Sequence, residues 1–106
     1  MSTETITSEN RLLIRRMALG PGEATGWHTD LCHRFSVVVR GSLLQIELAQ
    51  SESVQVPVRA GLAQWDAPTA QVHRAINAGP GAYEEVVTFY LDAPGQDPQP
   101  AGQLPR

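Results

Sequence analysis

The stretch GWHTDLCHRFSVVVRG, residues 26–41, gathers several reactive side chains within a few positions. His28 and Asp30 are two apart, so on an extended strand both leave the same face, while Trp27 and Thr29 leave the other. An imidazole and a carboxylate sharing a face can ligate a metal ion together. Arg34 follows four residues after Asp30. Its guanidinium stays protonated and has no lone pair, so it binds anions and is no ligand. Two chemistries are therefore open: Asp30 joins His28 on a metal, or it neutralises Arg34. Cys32 lies in the same stretch, but a reactive thiol needs a partner of defined geometry and none is visible. An ordinary buried cysteine is expected there.

The rest of the composition narrows the function. The chain has 106 residues, the size of one domain. A domain of that size buries roughly 60–65% of its unfolded surface, which leaves a modest core. The formal net charge is −3, and the closest approach to a basic run is Arg15-Arg16. A nucleic-acid groove needs clustered cations, so that class is set aside. No apolar run approaches the roughly 20 residues that span a bilayer, and MSTETITSEN lacks the basic and apolar regions of a secretion signal. A single cysteine excludes an internal disulfide framework and fits a reducing compartment. A cytoplasmic protein with no membrane partner is expected.

Glycine and proline divide the chain into short apolar stretches. Residues 1–9 are rich in Ser, Thr and Glu and read as a flexible N-terminus. Residues 93–106 hold four prolines and two glycines with few apolar anchors, and read as a disordered tail. Between them, residues 10–92 form the structured domain. Strands are expected over 12–19, 25–30, 34–40, 43–48, 54–59, 63–67, 72–77 and 85–91, each bounded by turn residues. No window keeps an apolar helical period for three turns. Short strands recurring every 8–12 residues or so imply an all-β sandwich or barrel.

Two segments resemble a known family. Gly22-x5-His28-x-Asp30-x3-Arg34-x6-Gly41 resembles the first motif of the cupin superfamily, G-x5-H-x-H-x3or4-E-x6-G. Pro68-x-Ala70-x2-His73-x3-Asn77 resembles the second, P-x-G-x2-H-x3-N. The segment between them, 42–60, has the length found in a minimal single-domain cupin, and the resemblance covers about residues 10–92. It implies a double-stranded β-helix, or jelly-roll barrel. In metal-binding members the first motif supplies two histidines and a glutamate, and the second supplies one histidine. Carried onto this chain, His28 and His73 match the outer ligands, Asp30 replaces a histidine and Arg34 replaces the glutamate.

The resemblance implies a metal site of His28, Asp30 and His73, suited to Fe and open to Zn, Mn, Co or Ni, with no organic cofactor. Arg34, Ser36 and Trp65 are the expected substrate-binding residues, and a small anionic molecule is the expected partner. Gln64 and Asp66 flank Trp65 on the opposite face, and either parity is open. His33 adjoins Arg34 and faces outward in the family register, unless a bulge turns it in as a ligand. The function this implies is a metal-dependent oxygenase or dioxygenase, with isomerase or lyase chemistry also open. The alternative is a metal-free binding pocket containing an Asp30–Arg34 pair. Phe35, Val37 and Val39 form an apolar row on the outward face, which the N-terminal strand (Leu12, Ile14) or a second subunit would have to cover. Small cupins pair in this way, so a homodimer is expected.

Overall fold

A computed structural model describes residues 1–9, 11–50 and 52–91. The expected tail at 93–106 lies outside the described residues. The strands are β1 (Ser2–Glu9), β2 (Leu12–Leu19), β3 (His28–Asp30), β4 (His33–Arg40), β5 (Leu43–Leu48), β6 (Ser53–Pro57), β7 (Ala63–Asp66), β8 (Thr69–Asn77) and β9 (Tyr83–Tyr90). They form one sheet in the order β1-β2-β9-β4-β7 and a second in the order β3-β8-β5-β6. Every pairing is antiparallel. The chain is all-β, and no helix among the described residues is long and apolar enough to cross a membrane.

One element departs from expectation. Ser2–Glu9 is a strand and not a loose segment: it pairs along β2 from Ser2↔Ala18 to Glu9↔Leu12. An edge strand is held by its backbone ladder, so it needs no apolar face of its own, and its alternating threonines favour extended backbone. Nearly all of its side chains are exposed. A register shift between Thr5 and Thr7 leaves Ile6 46% exposed.

The core lies between the two sheets. Met17, Leu19, Val38, Leu44 and Tyr83 form one buried cluster, and Leu13, Val87 and Phe89 another. Alternation along β2 and β9 sends these side chains inward. It also sends Arg15 inward from β2 and Glu85 from β9, so each strand carries a charge on its core-facing side. A solid core would not tolerate that. The sheets instead enclose a cavity of about 340 Å³.

Two turn features have clear physical reasons. Asn77 is 1% exposed and ties the end of β2 to the β8–β9 turn: its amide donates to the carbonyls of Leu19 (3.1 Å) and Gly81 (2.8 Å), and its oxygen accepts from the Gly79 N–H (3.0 Å). Gly41 has φ +144°, and a Cβ built there would lie 2.6 Å from the Tyr83 ring. Glycine is required by both backbone and space. Gly41→Ala is therefore expected to lower the unfolding free energy by about 1–3 kcal/mol. A urea titration that leaves the midpoint unchanged would show that Tyr83 moves aside at no cost.

The apolar row on β4 is not covered as expected. β2 lies in the same sheet as β4, with β9 between them, so Leu12 and Ile14 extend the outward face and do not roof it. Phe35 and Val37 are half-buried by their neighbours within the sheet, and Val39 is 45% exposed.

Candidate metal and ligand site

β3 and β8 bring the two matching histidines together: His28 and His73 are direct cross-strand partners, with ring centroids 4.5 Å apart. Asp30, two residues along β3, shares the inner face. A register shift between His28 and Asp30 sets the carboxylate beside the imidazoles. Asp30 Oδ2 lies 2.8 Å from His73 Nε2, 3.6 Å from His28 Nε2 and 3.0 Å from Arg34 Nη1. One carboxylate oxygen thus faces two imidazoles and a guanidinium. The residues for both chemistries left open by the sequence lie in one cluster.

The histidine tautomers follow from their other bonds. His28 Nδ1 lies 2.7 Å from the Gly26 carbonyl, and His73 Nδ1 lies 2.9 Å from the Gln71 carbonyl. A carbonyl oxygen only accepts, so each Nδ1 must donate, and each Nε2 is turned toward Asp30. Ligating histidines are oriented by just such a bond on the far nitrogen. The ligand atoms of His28, Asp30 and His73 all lie within 4.8 Å of one another, compact enough to share one ion. The donor set of two imidazoles and a carboxylate fits Fe, Zn, Mn, Co or Ni.

The electrostatics show what the cluster demands. Asp30 is 5% exposed. Burial alone would raise its carboxyl, but the polar contacts of His28 and His73 and the Arg34 charge outweigh that and hold it well below the usual carboxylate range. An ionised carboxylate also only accepts. A bare lone pair on His73 Nε2 would face it unfavourably at 2.8 Å. The hydrogen bond to Asp30 accordingly raises the His73 pKa, against an opposing effect of burial. The position between Asp30 and His73 calls for a cation, either a proton or a metal ion.

Arg34 and Ser36 line the cavity as expected. Arg34 Nε is buried and has no hydrogen-bond partner, an unmet donor on a cavity-lining side chain. Trp65, expected among the substrate-binding residues, does not line the cavity. It pairs with Phe35 on β4, faces outward at 56% exposed, and packs against Tyr90 and His33 at ring-centroid distances of 5.1 and 5.8 Å. Strand parity decides the matter, because Arg34↔Asp66 and Ser36↔Gln64 are the inward pairs. His33 also stays on the outer face, stacked on Trp65, and Cys32 is buried at 1% exposed.

Two charged cavity residues, Arg15 and Glu85, were not singled out from the sequence as cavity residues. A signal for Glu85 exists, since Tyr83, Glu85, Val87 and Phe89 are spaced by two and share one face of β9. An acid on the apolar face of a strand is a buried acid. Tyr83 donates to Glu85 Oε1 at 2.7 Å.

Solved structures with this architecture are numerous. A cupin domain from Bordetella pertussis Tohama I superposes with a TM-score of 0.73 at 21% identity, covering 87% of this chain and 93% of that one. The fold is that of a cupin. A conserved protein with a double-stranded β-helix domain from Klebsiella pneumoniae gives a TM-score of 0.68 at 18% identity, covering 93% of this chain and 84% of that one. A structure of the DMSP lyases RdDddP and RnDddQII gives 0.59 at 20% identity, covering 86% of this chain but 44% of that one. No protein-family model matches the chain, and no curated protein does. On the cupin frame, the His28/Asp30/His73 group could hold a metal ion.

Proposed function

We propose that the cavity is a metal-dependent active site for a small anionic molecule, with oxygenase chemistry as the reaction class. The observation that carries this reading is the pair of Nδ1–carbonyl bonds, which turn both Nε2 atoms toward Asp30. His28, Asp30 and His73 would hold the ion. A bound ferrous ion would supply redox chemistry toward dioxygen, and a three-residue set leaves positions open for it. Arg34 orients the substrate: Nη1 is held by Asp30, and the guanidinium lines the cavity, where its charge pairs with a substrate carboxylate. Val38, Leu44, Ile46 and Val58 line the rest of the cavity and exclude water from the ligand's apolar portion. The DMSP lyases among the similar structures favour a lyase as the competing metal-dependent class. Substrate-dependent uptake of dioxygen separates the two.

A second reading rests on the 3.0 Å Asp30–Arg34 ion pair. The pair gives Asp30 a cation without a metal, and makes the cavity a binding pocket for small anions. Elemental analysis of protein grown with iron, manganese, zinc, cobalt and nickel decides between the readings. Close to one equivalent of a metal supports the active site. Less than about a tenth of an equivalent of every metal supports the pocket.

We also propose that the chain is a homodimer through the outer face of the larger sheet. Phe35, Val37, Val86, Tyr90 and Trp65 present a contiguous apolar and aromatic surface there. Val37→Glu is expected to convert dimer to monomer in light scattering. A wild-type monomer at tens of micromolar, within reach of ordinary dimer affinities, rejects the dimer.

A further inference from the structure

Glu85 has no part in the mechanism above, yet its surroundings are unusual for a carboxyl group. It projects from β9 into the cavity, and no ion pair reaches it among the described residues. Its neighbours along the inner face of β9 are apolar or phenolic: Tyr83, Val87 and Phe89. The Tyr83 hydroxyl donates to its Oε1 at 2.7 Å. Tyr83 is 2% exposed, and its ring is seated directly against Gly41, so the donor is fixed in place. That bond fixes Oε1 and leaves Oε2 to the cavity. A buried glutamate held this firmly, with no ion pair among the described residues, is a specific device and not a solvated surface charge.

We propose that Glu85, positioned by Tyr83, is a neutral carboxylic acid whose Oε2–H donates to a ligand oxygen, so that the cavity selects small oxo- or hydroxy-carboxylic acids. Arg34 takes the carboxylate of such a ligand and Glu85 takes its second oxygen. The ligand class rests on the anion-binding reading of Arg34, whereas the state of Glu85 does not. The charged groups that share the cavity are Arg15 on β2, Asp30 and His28 on β3, Arg34 on β4, Asp66 on β7 and His73 on β8. Burial raises the Glu85 carboxyl. The Tyr83 hydrogen bond and the Arg34 charge oppose that rise without cancelling it, and Asp30 and Asp66 add to it. A raised folded value means the fold favours the protonated form. The stability it contributes is full below the unfolded carboxylate value of about 4.3, and is lost as pH rises through the folded value. Glu85→Gln stays neutral throughout, so its advantage over wild type in melting temperature grows with pH.

The test has two measurements. In labelled wild-type protein, the carboxyl carbon resonance missing from Glu85→Gln is followed against pH by nuclear magnetic resonance. It should titrate above the surface glutamates. Titration together with them overturns the proposal. Binding of 2-oxopentanoate, 4-oxopentanoate and pentanoate is then measured by calorimetry at pH 6. At least one oxo acid should bind wild type about tenfold more tightly than pentanoate, the effect of one added hydrogen bond in a dry site. Glu85→Leu should erase that preference. Glu85→Gln, which keeps a donor at every pH, should retain it as pH rises, whereas wild type should lose it. Equal affinities for all three acids, no binding of any, or an unchanged preference in Glu85→Leu overturns the ligand role. Arg34→Met separates this result from the anion reading. If that variant binds pentanoate as wild type does, the Arg34 assignment fails while the Glu85 preference stands or falls on its own variants.

Discussion

Protein carrying His73→Ala, expressed with iron, manganese, zinc, cobalt and nickel in the medium, should contain less than about a tenth of an equivalent of any metal, against nearly one for wild type. His73 Nε2 is the imidazole nitrogen nearest to Asp30, at 2.8 Å, and its far nitrogen is fixed by the Gln71 carbonyl. Its loss leaves His28 and Asp30, and two ligands on one short strand hold a divalent ion poorly. Arg34 makes the loss steeper, because its charge lies 3.0 Å from the only anionic ligand and repels the ion. The variant should remain folded, since alanine is tolerated in a strand and His73 is not one of the core side chains. Equal metal in wild type and variant would place the metal elsewhere. Metal-free wild type would leave the anion pocket as the function.

Asp30→Ala in metal-stripped protein should lower the unfolding free energy by about 3–5 kcal/mol. The carboxylate is 5% exposed and is the only anion within ion-pair distance of Arg34 among the described residues, so its removal strands a guanidinium whose Nε already lacks a partner. The loss comes from the uncompensated charge more than from the bond itself. Arg34→Met on the Asp30→Ala background should therefore restore most of the stability, since a flexible apolar side chain suits the cavity wall. Urea titrations of the four proteins form a double-mutant cycle. Additive effects within about 0.5 kcal/mol would show that Arg34 and Asp30 do not depend on each other.

Much of this was legible in the residues themselves. Glycine and proline mark the strand ends because a strand cannot continue through them. The spacing of His28 and Asp30 put both on one strand face, and the family resemblance added Arg34; all three line the cavity. The parity of β7 was not legible. Trp65 is large and apolar and looks like a cavity wall, but the alternation of a four-residue strand is fixed by its pairing with β4 and not by its own composition. Glu85 was missed for a related reason. Glu84 and Glu85 are adjacent, and composition alone cannot say which faces water; the β9 register sends Glu84 to Arg16 and Arg40 outside and Glu85 to the cavity. β1 was read as loose because it has no apolar face, and an edge strand needs none.

β3 spans only His28–Asp30 and lies at the border of its sheet, paired on one side to β8 with an irregular register. So short a border strand relies on what its side chains grip, here Asp30 on His73 and Arg34. Two of the three candidate ligands ride on it, and the third sits on the strand it would leave. Whatever cation occupies the site stitches that border shut. Occupancy and local opening are then opposite sides of one equilibrium.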